Sequence, residues 1–332
     1  MKVVYSLEDL THDCFRAVAT IGNFEGIHIG HQALLRSLVA RAAELAGTPT
    51  VLTFNPHPLQ VLAPGNAPRQ LQTLDQKLAV MADLGIRLVV VLPFDREFAQ
   101  ITARRFVHSI LCDKVRVSEI YVGPNFAFGN RREGGFNLLK ETGEERGFFV
   151  GRIHQVQFRG NRVSSTAIRQ ALLDGRASLA RRLLGRPFAL EGEVIRGQSA
   201  GAGIGVRTAN LRTPNELLPR HGVYVSWLTV DRVRRMSVTN VGVRPTISGG
   251  GEGAPVSIET HLLDFDRDIY GRRVVLELLT RLREERRFSG PDALLTQIRR
   301  DIERARRYFR WMANAGIACS PGADREGGHH VA

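Results

Sequence analysis

Residues 22–31 of the chain read GNFEGIHIGH. They follow a short apolar run, residues 17–21, and precede a stretch with helical periodicity, residues 32–45. The first turn of a helix has backbone N–H groups without intrahelical partners and a partial positive charge, so it is a favourable place for phosphate. A strand, a glycine-containing turn, paired histidines and a helix therefore predict a nucleotide-phosphate site.

His28 and His31 are the residues of this segment most suited to chemistry. Because they are three positions apart on a first helical turn, they would share one face and donate to the same phosphate. Gly26 and Gly30 let the backbone approach a ligand without an intervening Cβ atom. The alternative is that both histidines only cap or decorate the start of the helix.

The spacing of the two histidines resembles the HxGH pattern of adenylyl- and cytidylyltransferases. In that chemistry an acceptor phosphate attacks the α-phosphorus of ATP and pyrophosphate leaves, so the enzyme needs no nucleophile of its own. The resemblance implies catalysis by positioning and by electrostatic stabilisation of the transferring group.

The first half of the chain alternates short apolar runs with amphipathic stretches, which predicts an α/β nucleotidyltransferase domain with a parallel, Rossmann-like sheet. The predicted strands are residues 17–21, 50–54, 87–92 and 119–122, and the predicted helices are residues 32–45, 74–84 and 103–111. Ligands of such sheets bind beyond the carboxyl ends of the strands. Residues 22–31 lie at such an end.

Other segments near predicted strand ends each allow two interpretations. His57 follows the second predicted strand and either contacts a ligand or packs its own loop. Phe126 and Phe128 follow the fourth and either line a slot for a planar ring or fill the core. Residues 163–169, VSSTAIR, place three hydroxyl groups at a helix start, which is either a second phosphate contact or an ordinary N-cap.

After residues 184–187, LGRP, the pattern changes to runs rich in β-branched and aromatic residues, which predicts a small antiparallel β-barrel. The expected barrel strands are residues 189–195, 223–230, 235–241, 256–262 and 273–279. A final amphipathic helix, residues 291–313, is expected to pack across the barrel. The predicted domains are residues 1–185 and 186–315, followed by a disordered tail, residues 316–332.

Length and composition set limits on the class of protein. With 332 residues, of which 43% are hydrophobic, the chain can bury two cores. It contains no apolar run of about 18 residues and no cleavable apolar leader, so we expect a cytoplasmic protein without a membrane partner. Its cysteines, Cys14, Cys112 and Cys319, lack CxxC spacing, which argues against a disulfide framework or a zinc site.

The net charge of +13 is compatible with a nucleic-acid partner. The basic residues are nevertheless dispersed, and the densest run, residues 281–287, is interrupted by Glu284 and Glu285. We therefore expect small polyanionic ligands rather than nucleic acid.

Four motifs in the first half, GNFEGIHIGH, TFNPHP, VGPNFAFG and VSSTAIR, resemble in order and spacing the FMN adenylyltransferase module of prokaryotic bifunctional riboflavin kinase/FAD synthetases. The resemblance implies that His28 and His31 are catalytic. It implies that ATP phosphates are bound by Gly22, Asn23, Phe24, Gly26, Gly30, Ser164, Ser165, Thr166 and Arg169, and the flavin by Asn125, Phe126 and Phe128. Glu25 replaces the aspartate usual in the family, so we expect altered positioning rather than lost chemistry.

Residues 197–210, 239–246 and 259–266 resemble the riboflavin kinase module, with further matches at residues 269–271, 282–283 and 288. The resemblance implies roles for six residues: Thr208 and Asn210 in binding Mg²⁺ and ATP phosphate, Gly197 and Gly205 in binding phosphate, Arg283 in binding flavin, and Glu259 as the base for the ribityl 5′-hydroxyl. On their own residue types, Thr208 and Asn210 could equally be turn residues, and Glu259 an exposed strand position.

The glycine-rich loop departs from the family pattern. It has Ser199, Ala200 and Ala202 where basic residues are usual, and Val206-Arg207 instead of a Phe-Pro pair. A lost loop cation weakens binding by about ten- to a hundredfold. Arg207 could restore that charge, but the loss of proline frees a φ angle and would loosen the loop.

Three functions compete. The leading hypothesis is a bifunctional enzyme that phosphorylates riboflavin to FMN and adenylylates FMN to FAD, using ATP and Mg²⁺ in both reactions. The second is an FMN adenylyltransferase whose degenerate kinase module binds flavin or a partner. The third, of another class, is a basic nucleic-acid-binding protein with vestigial sites. The oligomeric state stays open.

Overall fold

Two units make up the chain, Met1–Ser165 and Thr166–Ala332. The computed structural model describes residues 1–10, 16–123, 126–153, 157, 158, 160–196, 206–243 and 256–317. Each unit has its own sheet and its own hydrophobic core.

A six-stranded parallel sheet forms the centre of the first unit. Its strands are β1 (Lys2–Val4), β2 (Ala17–Ile21), β3 (Thr48–Asn55), β4 (Leu88–Pro93), β5 (Val117–Val122) and β6 (Phe149–Arg152). The helices are α1 (Ile29–Glu44), α2 (Pro58–Leu62), α3 (Leu74–Asp83), α4 (Ala103–Arg105) with its π-helical continuation Phe106–Val115, and α5 (Phe136–Arg146). A small hairpin follows, formed by β7 (Gln157–Phe158) and β8 (Asn161–Arg162).

The strand order is β1-β4-β3-β2-β5-β6, so the chain proceeds from β2 first towards one edge of the sheet and later towards the other. In sheets of this type, ligands bind at the point of reversal, beyond the carboxyl ends of the two strands that meet there, which are β2 and β5 here. The predicted α/β fold and its four strands are confirmed. The short edge strands β1 and β6 are additions that the apolar pattern does not predict.

Both faces of this sheet are covered. Alternate residues of β2 enter two separate cores, with Ala17, Ala19 and Ile21 in one and Val18 in the other. Strands buried on both faces are continuous apolar runs, and this is why they are easily found in the sequence. The interior position of β2 fixes the backbone from which residues 22–31 emerge.

A charged network stabilises the first unit away from that loop. The Arg41 guanidinium donates two hydrogen bonds to the Glu119 carboxylate, at 2.9 and 2.7 Å, and the Tyr121 hydroxyl donates a third at 2.7 Å. The bonds from Arg41 hold the pKa of Glu119 below its usual range. The contribution of Glu119 to stability is therefore complete above the ordinary glutamate pKa and is lost as the pH falls through the lowered value.

We predict that Glu119→Gln lowers Tm at neutral pH and that the difference from wild type narrows as the pH falls below the ordinary glutamate pKa. Thermal unfolding followed by circular dichroism across this range measures both effects. Glu44→Gln is the matched control, because Glu44 also bonds Arg41, at 2.8 Å, but is mostly exposed. Equal Tm values for wild type and Glu119→Gln at neutral pH would contradict the stabilising role of the Glu119 carboxylate.

A closed antiparallel barrel of six strands forms the second unit. Around the barrel the strands are β10 (Ala209–Arg212), β13 (Val256–Leu262), β12 (Val233–Val243), β11 (Gly222–Val230), β14 (Arg273–Arg283) and β9 (Phe188–Ile195). The helices of this half are α6 (Ser165–Leu173), α7 (Ala177–Leu184) and α8 (Pro291–Asn314). The predicted barrel and final helix are confirmed, and β10 is a strand that the apolar runs do not predict.

The two faces of the barrel strands differ in character. Val223, Val225 and Trp227 of β11 pack with Phe309 and Met312 of α8, so this face is the outer one.

The alternate residues face the interior and include a chain of buried hydroxyl groups. Ser226 Oγ bonds Ser237 Oγ at 2.8 Å and Thr239 Oγ1 at 2.7 Å, and Thr239 bonds Thr260 at 2.9 Å. Because successive residues of a strand point to opposite faces, the neighbours of Thr239 and Thr260 lie on the outer surface.

The predicted disordered tail lies almost entirely outside the described residues. Of the predicted tail, residues 316–332, only residues 316 and 317 belong to the described part of the chain. Among the described helices, none combines the length and apolar character that a membrane crossing needs.

Candidate active sites

The loop after β2 has an unusual backbone. Phe24 and Ile27 adopt positive φ values of 46° and 34°, and Gly26 has a φ of 76°. A non-glycine residue in this region is costly, and such residues occur mostly where the surrounding structure or a function requires them. Here they form a short 3₁₀ turn, Glu25–Ile27, that delivers His28 to the start of α1.

His28 is the N-cap of α1. Its Nδ1 atom accepts a hydrogen bond from the His31 backbone N–H at 3.2 Å. Because Nδ1 is the acceptor, a neutral His28 has its proton on Nε2, where it can be donated to a ligand. The capping alternative is therefore correct for one ring nitrogen of His28, and the predicted placement on the first turn is wrong by one position.

The two imidazole rings are in direct contact. The rings of His28 and His31 stack with centroids 3.7 Å apart and planes 12° from parallel. Phe24 meets the His31 ring edge-on at 5.3 Å. The two histidines are therefore close together, as predicted. Their rings are stacked, however, and do not lie side by side on one face of the helix.

The His31 ring is held neutral by its surroundings. Its Nδ1 atom is buried and has no hydrogen-bond partner among the described residues. Burial first, and then the neighbouring His28 and Lys77, hold the pKa of His31 well below its usual range. With Nδ1 inside the protein, Nε2 is the nitrogen that remains for a ligand.

Glu25 ties the loop to other parts of the first unit. Its side chain is buried, and its carboxylate accepts a hydrogen bond from the backbone N–H of Leu71. The Ser165 hydroxyl donates to the Glu25 carbonyl oxygen at 2.8 Å. The longer carboxylate of this chain thus has a structural partner. Ser165 lies beside the loop, and its contact with phosphate stays a prediction.

His57 also lies beside the loop. The Asn23 amide and His57 Nε2 are 3.2 Å apart. His57 Nδ1 accepts a hydrogen bond from the Leu59 backbone N–H at 3.2 Å and so caps α2. The loop-packing alternative for His57 therefore holds, and its contact with a ligand stays a prediction.

Phe126 and Phe128 belong to a larger aromatic cluster. Their rings stack with centroids 5.1 Å apart, and Phe128 is buried in the core while Phe126 is half-buried at its edge. Further ring contacts, with centroids 5.6 to 6.3 Å apart, connect Phe128 through Phe106 and Phe98 to Phe54. The core interpretation is therefore correct for Phe128.

Lys77 is a residue that sequence reasoning misses. It lies on α3 with only 7% of its surface exposed, and its Nζ atom donates to the Asn23 carbonyl oxygen at 2.9 Å. A signal for it exists, because position 77 falls on the same helical stripe as the apolar Leu74, Leu78 and Met81. A lysine on a buried stripe is uncommon and needs a partner.

In the barrel, three polar residues form one row across neighbouring strands. Asn210 of β10 pairs with Glu259 of β13, and Glu259 pairs with Asn240 of β12. Directly paired residues of an antiparallel sheet project to the same face, which is the outer face here. Asn210 and Glu259 are thus brought together, and Thr208 lies two positions before Asn210.

Arg207 is held from two directions. Its backbone carbonyl oxygen accepts a hydrogen bond from His261 Nδ1 at 2.8 Å, and its guanidinium donates to the Asp266 carbonyl oxygen at 2.9 Å. These contacts restrain the residue directly before Thr208. The freedom expected from the loss of proline is therefore offset at position 207.

Arg283 has structural partners in the barrel unit. Its Nε atom donates to the buried Asp301 carboxylate at 2.8 Å, and its Nη1 atom donates to the Glu284 carbonyl oxygen at 2.9 Å. The guanidinium also lies 5.6 Å from the Phe288 ring centroid. A flavin role for Arg283 would have to coexist with this network.

The remaining predicted site residues are placed as follows. Gly22, Gly30 and Ser164 belong to the first unit, whereas Thr166 and Arg169 are on α6 in the second. Asn125, Gly197 and Gly205 lie outside the described residues.

Comparisons with known proteins match family models to both halves of the chain. The family model for FAD synthetase matches residues 11–167, and the model for riboflavin kinase matches residues 184–309.

Two curated relatives match the chain over nearly its full length. The bifunctional riboflavin kinase/FMN adenylyltransferase of Escherichia coli strain K12 is 41% identical over 311 residues, which cover 93% of this chain and 98% of that protein. The protein with the same name from Pseudomonas fluorescens is 40% identical over 306 residues, or 92% and 97% of the two chains.

A solved structure, described as a macrolide-efflux protein from Streptococcus pneumoniae, has a similar fold. It matches with a TM-score of 0.82 and 28% identity, covering 92% of this chain and 98% of that chain. The sequence relatives and the two matching domain models together establish the family: this chain belongs to the bifunctional riboflavin kinase/FMN adenylyltransferases.

Proposed function

We propose that this chain phosphorylates riboflavin to FMN in its barrel unit and adenylylates FMN to FAD, with release of pyrophosphate, in its α/β unit. ATP is the co-substrate of both reactions. The observation that carries the proposal is the stacked His28–His31 pair at the N-terminus of α1, at the reversal point of the sheet.

In the adenylyl transfer, a phosphate oxygen of FMN attacks the α-phosphorus of ATP. The two imidazole groups donate from Nε2 to the phosphate oxygens, and the first N–H groups of α1 contribute the positive end of the helix dipole. These donors stabilise the negative charge that builds up on the transferring group. The proposed phosphate contacts of this unit are Gly22, Asn23, Phe24, Gly26, Gly30, Ser164 and Ser165. The phosphate roles of Thr166 and Arg169 stay predictions from the family resemblance.

For the flavin of this reaction we propose a position next to Phe126, with Asn125 as a further contact and with Phe128 as the buried ring behind Phe126. Phe126 is the half-buried member of a stacked pair, and Phe128 supports its ring from the core. An isoalloxazine ring would gain the offset stacking that aromatic pairs prefer.

In the kinase reaction, Glu259 accepts the proton of the ribityl 5′-hydroxyl as that oxygen attacks the γ-phosphorus of ATP. A row of Asn210 and Glu259 on the outer face of the barrel, with Thr208 two positions earlier, supports this assignment. The hydroxyl and amide oxygens of Thr208 and Asn210 are hard donors that suit Mg²⁺. When bound, Mg²⁺ neutralises charge on the phosphates, and we assign its protein ligands to these two residues. Gly197, Gly205 and Arg283 are the further proposed contacts for phosphate and flavin.

The restraint on Arg207 yields a test within this reaction. We predict that Arg207→Ala raises KM for ATP in riboflavin phosphorylation by about five- to tenfold, because an ionic hydrogen bond that positions Thr208 is lost. FMN adenylylation should be unchanged. Arg212→Ala is the matched control, since Arg212 is an exposed arginine of β10 bonded to Glu193 at 2.7 Å. An equal KM increase in both variants would show a general charge effect and contradict the prediction.

The second candidate function is FMN adenylylation alone, with a kinase module that only binds flavin or a partner. It is favoured by the absence of basic residues at positions 199, 200 and 202. Chromatography of reactions with ATP, Mg²⁺ and either riboflavin or FMN separates the two candidates. FMN formed from riboflavin supports the bifunctional assignment, FAD formed only from supplied FMN supports the second candidate, and no FAD in either reaction refutes both.

A further inference from the structure

Lys77 is a buried cation next to the loop that carries the paired histidines. It lies in the second turn of α3, whose start is fixed by a capping box between Thr73 and Gln76. Burial lowers the pKa of Lys77, and the nearby Glu25 carboxylate partly opposes this shift. Burying an ammonium group is unfavourable for folding unless it is well paired, so its presence at this position needs a reason.

The contact made by Lys77 is specific. Its Nζ atom donates to the carbonyl oxygen of Asn23 at 2.9 Å, and the Thr53 hydroxyl approaches the same oxygen at 3.5 Å. The next residue, Phe24, has the left-handed backbone that turns the loop and brings its ring to the edge of His31. The ammonium group therefore fixes the residue from which the strained turn begins.

Lys77 also acts on His31 through its charge. Among the described residues, burial and then His28 and Lys77 lower the pKa of His31, and the Glu25 carboxylate in turn acts on Lys77. Lys77 places a cation close to the loop after β2 and to the His31 ring at the start of α1. A triphosphate bound at that helix start would interact favourably with this charge, as in other preorganised phosphate sites.

We propose that Lys77 is a positioning residue for adenylyl transfer, whose ammonium group fixes the Asn23 carbonyl and thereby the orientation of Phe24 and His31 towards ATP. This assignment rests on the proposed adenylyltransferase function. It predicts that the charge of Lys77 serves the reaction and contributes little to the stability of the fold.

The test uses Lys77→Met in the full-length chain. Riboflavin phosphorylation by the barrel unit measures the amount of enzyme in the assay, and circular dichroism measures the folding of the first unit. We expect kcat for FMN adenylylation to fall by about 10²-fold, because a misplacement of about 1 Å at the reacting groups has an effect of this size. Tm should stay the same or rise, since methionine fills a similar volume without a buried charge. Lys77→Gln, which keeps an N–H donor near Asn23, should retain more activity than Lys77→Met.

Two further measurements distinguish positioning from a purely structural role. The pKa of the His31 ring, followed by NMR, should rise in Lys77→Met, and the affinity for ATP, measured by titration calorimetry, should fall. Lys140→Met is the matched control, because Lys140 is an exposed lysine of the same unit paired with Glu144 at 3.6 Å.

The outcomes separate this proposal from the function on which it rests. Wild-type kcat, ATP affinity and His31 titration in Lys77→Met would overturn the proposal, as would a lower Tm with unchanged kcat. A wild-type chain that binds ATP but forms no FAD would overturn the adenylyltransferase function instead. In that case the ATP affinity and the His31 titration of Lys77→Met still decide the role of Lys77.

Discussion

Replacing His28 by alanine should reduce FMN adenylylation by about 10² to 10⁴-fold while riboflavin phosphorylation continues at the wild-type rate. The expected loss is large because His28 contributes in two ways. Its Nδ1 atom caps α1, and its Nε2 atom is the proposed donor to phosphate. Separate chromatographic assays with FMN and with riboflavin measure the two activities on one preparation.

The capping and donor roles of His28 can be distinguished. Serine is a good N-cap residue but has no group at the position of Nε2. We therefore expect His28→Ser to restore Tm relative to His28→Ala without restoring adenylylation. His108→Ala, at a half-buried histidine of the same unit, controls for the loss of an imidazole. Recovery of adenylylation in His28→Ser would mean that His28 acts only as a cap.

Replacing Glu259 by glutamine should stop riboflavin phosphorylation, with a decrease in kcat of about 10² to 10⁴-fold, and leave FMN adenylylation intact. Glutamine keeps the shape of the side chain and its place in the β10-β13-β12 row but cannot accept the proton of the ribityl hydroxyl. The measurement is the initial rate of FMN formation from riboflavin at saturating ATP.

The control for this variant is Glu193→Gln on β9. Glu193 is an exposed carboxylate of the same barrel and bonds Arg212 at 2.7 Å. We expect it to leave both reactions unchanged. Riboflavin phosphorylation at the wild-type rate in Glu259→Gln would remove Glu259 from the role of base.

The succession of strands and helices in the first unit is largely predictable from the sequence, because its strands are buried on both faces. The apolar run of β2 and the GNFEGIHIGH segment after it predict a strand, a turn and a following helix from local sequence alone, although α1 begins at Ile29 and not at the predicted residue 32. The structural detail depends on contacts that are distant in sequence. Nothing local predicts positive φ values at Phe24 and Ile27, and the stacked imidazoles follow from that backbone.

The residues that sequence reasoning misses are those whose partners come from other elements. Lys77 is 54 positions from Asn23, and the contact exists only because α3 packs against the loop after β2. Strand β10 is four residues long, too short for an apolar period, and its pairing with β9 and β13 makes it a strand. The restraint on Arg207 likewise depends on His261 and Asp266, which the barrel brings near it.

The central claim is that the paired histidines direct attack at the innermost phosphorus of ATP by the phosphate of FMN. The most direct measurement supplies FMN, Mg²⁺ and ATP labelled with ³²P at either the α or the γ position, and resolves the products by chromatography. The account predicts that α-label appears in FAD in a 1:1 ratio to pyrophosphate, that γ-label appears only in pyrophosphate, and that His28→Ala forms both products about 10² to 10⁴-fold more slowly. FAD that stays unlabelled by α-labelled ATP, or FAD formed by His28→Ala at the wild-type rate, would contradict it.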